Sequence, residues 1–153
     1  MSKKFTSRKP LAVLYEDESF IAFSKPAGLL AVPAQHKEET ALTDLANEQF
    51  GVEPQTPSDK RLYPCHRLDR DTSGCLLVAK RRSALRDLHA QLRDGTTEKL
   101  YLALVCGKWN LGHKRIELAL ATGERRSGER HVAVRGHGQM AVSTFRPVQF
   151  FGN

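Results

Sequence analysis

The sequence predicts an α+β fold: a mixed, mainly antiparallel sheet with flanking helices. Most apolar residues fall in short runs separated by polar turns, which is typical of strands. Two longer segments repeat their apolar residues with the period of a helix. The predicted elements are mostly strands, and each of the two predicted helices lies between strand regions, which indicates α+β. The 153 residues suit one domain with a core of its own.

The chain opens with a predicted hairpin. Residues 1–10 are basic and polar, and we expect them to form a flexible tail. Residues 11–15 and 20–24 are apolar runs on either side of a polar turn, which indicates two antiparallel strands. Pro26 and Gly28 then predict a shaped loop, because proline cannot donate to a sheet and glycine tolerates positive φ.

Two helices are predicted from their caps and apolar stripes. The first begins at Thr40, which can cap the helix, carries Asp44 near its N-terminus, and ends at Gly51. The second is capped by Ser83 and ends at Gly95. Their core-facing apolar residues are Leu42, Leu45, Ala46 and Phe50 in the first helix and Leu85, Leu88 and Leu92 in the second.

Five further segments are predicted to be strands. Residues 75–79 and 100–106 are continuous apolar runs, which is typical of strands buried on both faces. Apolar residues alternate with other types at 116–120, and the segments 131–134 and 141–145 are predicted to be antiparallel strands.

The charged turn at residues 122–130 and the apolar C-terminal segment complete the pattern. Arg125, Arg126 and Arg130 in the turn either contact phosphates or form a solvated charge run. The last nine residues contain four large apolar side chains, and this end resembles a strand cut short of its partner.

The charge balance favours an anionic partner. The chain has 24 Lys and Arg against 17 Asp and Glu, giving a net charge of +7 and a pI of about 9.6. Nucleic acid is a common partner of such a domain, although charge alone is equally consistent with a protein that is merely basic. No apolar run approaches the ~20 residues that span a bilayer, and no signal peptide is visible. We therefore expect a cytoplasmic protein without membrane association.

The three cysteines are expected to be buried, reduced thiols. Cys65, Cys75 and Cys106 make an odd number, and their spacing is not that of a metal site. A zinc-dependent module formed by these residues and His66 is the alternative. The sequence predicts no metal and no cofactor.

Residues 66–74 are the strongest candidate for a functional site. This segment places a histidine, two arginines, Asp69 and Asp71 directly before a predicted buried strand. Ionisable groups at the end of a rigid element suit a catalytic site. A surface turn whose charges pair with each other is the competing interpretation.

The sequence His-Arg-Leu-Asp-Arg-Asp-Thr-Ser-Gly at 66–74 resembles the signature of the RluA-type RNA pseudouridine synthases, and all seven fixed positions match. Two further segments match in order: residues 15–30, which contain Lys-Pro-Ala-Gly, and residues 99–105, which contain Lys-Leu-Tyr-Leu-Ala. A weaker match covers 138–145. The resemblance extends from about residue 11 to the C-terminus.

This resemblance implies the pseudouridine synthase fold and an isomerase that converts uridine to pseudouridine in ribosomal or transfer RNA. Asp69 would be the catalytic carboxylate, acting as nucleophile or as base. Arg67 would enter the RNA stack as the target base leaves, and Tyr101 would contact the uracil. The reaction breaks and re-forms a sugar–base bond without redox change, so the resemblance implies no cofactor.

Other interpretations of these residues stay open at the sequence level. Arg67 is also compatible with a surface ion pair, and Tyr101 with a core tyrosine. Lys25 is expected to be structural, with a direct role as the alternative, and Asp71 is expected to be structural or solvated. His66 is expected to orient the loop, with general-base catalysis as the alternative.

The chain departs from the family pattern at both ends. No N-terminal S4 domain precedes residue 11, and the family's third motif, Gly-Arg-Thr-His-Gln-Ile-Arg, does not follow Phe145. By resemblance the first arginine of that motif pairs with the catalytic aspartate. We therefore expect residues 11–153 to form a catalytic domain that lacks its C-terminal part, most simply as a monomer. The alternative is a catalytically inactive RNA-binding remnant.

Overall fold

The computed structural model divides the chain into two compact units, Met1–Leu100 and Tyr101–Asn153, here called the N-terminal and C-terminal units. The structure describes residues 10–34, 39–53, 56–57, 61–110, 112–124 and 130–151. The predicted basic tail, apart from Pro10, lies outside these residues, as do Arg125 and Arg126 of the charged turn.

The N-terminal unit contains a four-stranded antiparallel sheet with the order β1-β2-β4-β3. Its strands are β1 (Val13–Glu16), β2 (Phe20–Lys25), β3 (Tyr63–Pro64) and β4 (Gly74–Ala79). The predicted hairpin is confirmed as β1 and β2. The two-residue strand β3 was not predicted, because so short a segment shows no periodicity.

The core of the N-terminal unit lies on one face of β2 and β4. Side chains alternate along a strand, so Ile21 and Phe23 share this face with Leu76 and Val78 of the neighbouring strand, and all four are buried. Residues from the loops and the first helix complete this core: Leu11, Leu29, Ala31, Leu42, Ala46 and Leu68. Leu68 belongs to the candidate site segment, which therefore packs directly on the core.

Helix α1 (Leu42–Gln49) lies where the sequence predicted it, but its cap differs. Ala41 is the N-cap residue, and not Thr40. The Asp44 carboxylate accepts a hydrogen bond of 2.9 Å from the Ala41 N–H, so the acidic residue of the first turn takes over the capping task. Gly51 follows the helix at a φ of 68°, as expected of a helix end.

Helix α2 (Arg82–Arg93) packs against β4 through a second, smaller cluster. Cys65, Ala79 and Ala84 are buried there. The predicted cap Ser83 was wrong, because the N-cap residue is Arg81 and no side chain caps the helix.

The C-terminal unit contains a second antiparallel sheet with the order β6-β5-β7. Its strands are β5 (Lys114–Glu124), β6 (Arg130–Val134) and β7 (Gln139–Phe145). The three late strands of the prediction are confirmed. The sequence predicted a single sheet, whereas the described residues form two sheets, one in each unit. Strand β5 extends into the segment predicted as a turn.

The turn between β6 and β7 packs closely on the middle of β5. The Arg135 N–H donates to the Ala119 carbonyl at 2.9 Å. A Cβ atom at Gly138 would collide with the backbone of Leu120, so only glycine fits this approach.

The strand predicted at 100–106 was wrong. These residues form no strand, and their side chains are exposed, with Leu102 90% accessible. A continuous apolar run predicts burial only if another surface covers it, and no strand of the described part pairs with this segment. The apolar segment 146–151 likewise forms no strand.

Helices α1 and α2 are both too short and too polar to cross a membrane, and the described residues contain no other candidate span. All three cysteines are free, but the prediction that they are buried holds only for Cys65. Cys75 and Cys106 are exposed, because Cys75 lies off the core face of β4 and Cys106 is the last residue of the uncovered segment 100–106.

The three thiols are expected to react at different rates. Burial raises the pKa of the Cys65 thiol to about 11, so little reactive thiolate forms near neutral pH. Iodoacetamide at pH 8, followed by mass spectrometry, should label Cys75 and Cys106 in the native protein and Cys65 only after urea unfolding. Equal labelling of all three native thiols would contradict the burial of Cys65.

Candidate active site

The segment between β3 and β4 (residues 66–73, here the aspartate loop) carries the predicted catalytic residue. Asp69 and Arg67 are both exposed, while Leu68 between them is buried in the core. Burial thus alternates along these three residues, with the middle side chain in the core and its two neighbours in solvent. Asp69 therefore faces solvent from a backbone that is fixed by the residue preceding it.

Lys25, the last residue of β2, fixes the backbone that follows Asp69. Its side chain is fully buried, and its Nζ donates to three backbone carbonyls: Pro26 at 3.0 Å, Leu29 at 2.7 Å and Arg70 at 2.8 Å. A buried ammonium is tolerated only if its donors are satisfied, and here all three protons have acceptors. The lysine therefore ties the aspartate loop to the loop that follows β2.

Burial and neighbouring charges shift the pKa of Lys25 in opposite directions. Burial lowers the pKa of the ammonium, whereas the negative charges of Asp71 and Asp69 raise it. The carboxylates of the aspartate loop thus favour the charged lysine that anchors the loop. This arrangement supports the structural role expected for Lys25.

Gly28 donates a second hydrogen bond to the Arg70 carbonyl, which also accepts from Lys25. Its N–H donates to the Arg70 carbonyl at 2.9 Å, and its φ of 85° is one that other residues rarely adopt. The shaped loop predicted from Pro26 and Gly28 is confirmed, and its geometry serves to bind the backbone next to Asp69.

His66 fixes the beginning of the aspartate loop. The Leu77 N–H of β4 donates to His66 Nε2 at 3.1 Å, while the Cys65 N–H donates to the Leu77 carbonyl at 2.9 Å. The imidazole thus takes the place of a strand carbonyl where β3 ends. Burial is the main cause that lowers the His66 pKa; the charge of Lys99 lowers it further, and a hydrogen bond with the Arg67 backbone opposes this. These contacts favour loop orientation over general-base catalysis.

Arg70 anchors the loop through its side chain as well as its carbonyl. The guanidinium forms an ion pair with Glu39, which lies shortly before α1. Sequence reasoning missed this pair, because Arg70 occupies an open motif position and Glu39 lies 31 residues away. The Thr72 N–H, which donates to the Asp69 carbonyl at 3.1 Å, closes the turn.

Asp69 is thus an exposed carboxylate between two anchored residues. Leu68 is held by the core. Arg70 is held by an ion pair and by two hydrogen bonds that its carbonyl accepts, one from Lys25 Nζ and one from the Gly28 N–H. Within the described residues, the Asp69 side chain makes no hydrogen bond or ion pair. Such a carboxylate is preorganised toward an external substrate, because positioning has already been achieved by its neighbours.

Tyr101, the third predicted site residue, belongs to the C-terminal unit. Its side chain is 62% accessible and lies in the segment without strand structure, so the alternative of a core tyrosine was wrong. No group of three or more His, Cys, Asp or Glu residues in the described ranges could hold a metal ion. The cysteines of the zinc alternative differ in exposure, with Cys65 buried and Cys75 exposed.

A surface cavity of about 260 Å³ lies elsewhere in the N-terminal unit. It is lined by Ser19, Phe20, Arg81, Ser83, Ala84, Asp87 and Gln91. These residues surround the end of β4 that is opposite to Asp69, since Phe20 pairs with Ala79. This cavity is therefore not part of the candidate site.

Comparison with known proteins identifies a matching family. The family model described as RNA pseudouridylate synthase matches residues 19–153. The curated protein named ribosomal large subunit pseudouridine synthase C of Pasteurella multocida is 42% identical over 137 residues, which is 87% of this chain and 39% of the relative. The protein of the same name from Haemophilus influenzae matches with the same identity and coverage. The chain thus spans about two fifths of the length of these relatives.

Solved structures support the same fold. Human RNA pseudouridylate synthase domain containing 1 has a TM-score of 0.65 at 20% identity, over 93% of this chain and 53% of that one. Human RNA pseudouridylate synthase domain containing 4 has a TM-score of 0.53 at 15% identity, over 86% of this chain and 51% of that one. At these identities the likeness concerns the fold alone, and it confirms the predicted α+β class.

Replacing Lys25 tests the anchor of the aspartate loop. Lys25→Met keeps the aliphatic stem but removes the shared donor of the Pro26, Leu29 and Arg70 carbonyls, of which, among the described residues, only the Arg70 carbonyl keeps another donor, the Gly28 N–H. We expect a loss of about 2–4 kcal/mol in the free energy of unfolding. Urea denaturation followed by circular dichroism measures it. The control Lys80→Met removes a partly exposed ion pair with Glu16 and should cost less than about 1 kcal/mol. Similar losses for both variants would contradict the anchor.

His66 predicts a pH dependence of stability. Because the pKa of His66 is lowered in the folded protein, the unfolded chain binds its proton first as the pH falls below about 6.5. The neutral His66 imidazole therefore contributes fully to the free energy of unfolding above that pH, and this contribution is lost as the pH falls further. His66→Gln keeps an acceptor for Leu77 but does not titrate. Urea denaturation between pH 5 and 7.5 measures the free energy of unfolding of both proteins. We expect it to fall more steeply toward pH 5 for the native chain than for His66→Gln. The same pH dependence in both proteins would contradict a neutral imidazole in the folded chain.

Proposed function

The chain belongs to the RNA pseudouridylate synthase family, and from this membership we propose that it isomerises uridine to pseudouridine in RNA, with Asp69 as the catalytic carboxylate. The observation that carries the proposal is the exposed Asp69 on a backbone anchored by Leu68 and Arg70. An anchored carboxylate open to solvent can meet a nucleotide that has been turned out of its stack.

The reaction needs little beyond one well-placed carboxylate. The N1–C1′ bond breaks, the uracil turns, a C5–C1′ bond forms, and the C5 proton is lost while N1 gains one. No oxidant or reductant is required. A glycoside hydrolase needs a second carboxylate to activate water, whereas here the departing base itself returns to the sugar. Asp69 serves either as nucleophile or as base in this scheme.

Arg67 is proposed to stabilise the opened RNA. Its side chain is exposed two residues before Asp69, and its backbone is tied to the His66 imidazole. Extruding a base costs a few kcal/mol, and a cation that enters the vacated stack offsets part of that cost. Tyr101 is proposed to stack on the target uracil, which its exposed ring permits.

The proposed substrate is large-subunit ribosomal RNA. The curated relatives carry this specificity in their names, ribosomal large subunit pseudouridine synthase C, and they share 42% of the aligned residues. Transfer RNA is the alternative expected from the sequence. A monomeric state and a cytoplasmic location stay predictions.

One observation favours a second candidate function, RNA binding without catalysis. In the part of the chain that the structure describes, no arginine or lysine forms an ion pair with the Asp69 carboxylate. A cationic partner would keep that carboxylate ionised and oriented. This candidate predicts salt-dependent RNA binding and no isomerisation.

Asp69→Asn tests the proposed function. Purified chain is incubated with transcribed large-subunit ribosomal RNA that contains tritium at C5 of uridine, and tritium release is measured. Loss of the carboxylate should reduce release by at least about 10³-fold, because the amide can act neither as nucleophile nor as base. The control Asp71→Asn changes a neighbouring exposed carboxylate and should stay within about tenfold of the native activity.

Thermal unfolding of both variants verifies that each is folded. Activity that survives Asp69→Asn would refute the role of Asp69. RNA binding without tritium release by the native chain would favour the second candidate over the first.

A further inference from the structure

The positive charge of the chain is concentrated in the C-terminal unit. Of 24 Lys and Arg and 17 Asp and Glu, residues 101–153 contain eight and three, so this unit carries +5 of the net charge of +7. The N-terminal unit, with the candidate active site, is nearly balanced at 16 against 14. A charge divided in this way points to an anion-binding surface on the smaller unit.

Several of these cations lie at one end of the second sheet, where β5 begins and β7 ends. Lys114 pairs with Phe145 and Arg115 with Thr144 across the two strands, and Arg146 follows directly. We call this region the basic–aromatic end; it comprises Lys108, Trp109, Lys114, Arg115, Phe145 and Arg146.

An aromatic pair forms part of the basic–aromatic end. The ring centroids of Trp109 and Phe145 lie 6.1 Å apart with an interplanar angle of 48°. The Trp109 indole N–H donates to the Gly112 carbonyl at 2.8 Å, which fixes the orientation of the ring. Phe145 is 43% accessible and Trp109 is half-buried, so the pair is held in place while part of its surface stays open.

The surrounding cations are available to a ligand. Lys108, Lys114 and Arg146 are exposed, and none of them makes a hydrogen bond or ion pair with another described residue. Arg115 pairs with Glu117 on the same face of β5. Glu117 is thus matched by one arginine. Of the other three cations, Lys114 is the strand partner of Phe145, and Lys108 and Arg146 are the sequence neighbours of Trp109 and Phe145.

We propose that the basic–aromatic end is an RNA-binding site, at which an unpaired base stacks on Trp109 and Phe145 while Lys108, Lys114 and Arg146 hold the flanking phosphates. Single-stranded RNA and RNA loops present both groups, a base face and a phosphate, within one nucleotide. A purely acidic protein partner would use the cations and leave the aromatic pair without a role. This inference deepens the proposed function, on which it rests, by assigning RNA contacts to the C-terminal unit.

The test measures RNA binding in the Asp69→Asn background, so that no turnover occurs. Fluorescence anisotropy follows a labelled 20-nucleotide RNA hairpin with a uridine-rich loop as the chain is added. The double variant Lys114→Glu/Arg146→Glu should weaken binding about 10- to 100-fold and flatten the dependence on salt, because about two phosphate contacts are lost. The matched control Arg86→Glu/Arg93→Glu makes the same charge change on exposed positions of α2 and should weaken binding less than about threefold.

The aromatic part of the site is tested separately. Trp109→Leu should weaken binding about 5- to 50-fold with an unchanged salt dependence, because stacking and not charge is lost, and Trp109→Phe should restore most of it. Lys114→Gln/Arg146→Gln gives the same comparison without charge reversal if the glutamate variant does not fold.

Equal losses of RNA affinity in the two double variants would mean that binding depends only on the net charge of the chain. This result would overturn the proposal. An equally tight, salt-sensitive complex with single-stranded DNA of the same sequence would overturn the assignment to RNA. Tritium release by the native chain decides the proposed function independently, since binding is measured without chemistry.

Discussion

A single buried cation organises the candidate active site. The ammonium of Lys25 lies in the interior with all three of its donors bound to backbone carbonyls, one of them at Arg70. A cation in that position is stable only while these carbonyls stay around it, so the loop after β2 and the aspartate loop must keep their present geometry. The Gly28 N–H strengthens the same link, because it binds the carbonyl that Lys25 binds.

The position of Asp69 follows from this constraint. Asp69 has the core residue Leu68 on one side and the doubly bound Arg70 on the other, while its own carboxylate faces solvent. A carboxylate that anchored the loop would be engaged in hydrogen bonds or ion pairs within the protein, and it would be less able to contact a substrate. The neighbours of Asp69 thus anchor the backbone while the Asp69 carboxylate itself stays exposed. His66 extends the anchoring to the start of the aspartate loop.

The net charge is divided unequally between the two units. The N-terminal unit, which contains Asp69, has nearly equal numbers of acidic and basic residues, whereas the C-terminal unit carries most of the net positive charge. A polyanion approaching the chain is attracted most strongly by the smaller unit. Under the proposed function and the further inference, both units contact RNA: the N-terminal unit through Arg67 beside Asp69, and the C-terminal unit through Tyr101 and the basic–aromatic end.

The sequence by itself determined the class of fold, both helices, most strands and the segment that carries Asp69, since periodicity and a contiguous motif are local properties. It failed at 100–106, where an apolar run was read as a buried strand although the described residues provide no strand to pair with it. The sequence also gave no indication of the Arg70–Glu39 pair or of the carbonyls around Lys25. Only the tertiary structure decided these contacts, because they join residues far apart in the chain and depend on burial, which a local pattern does not specify.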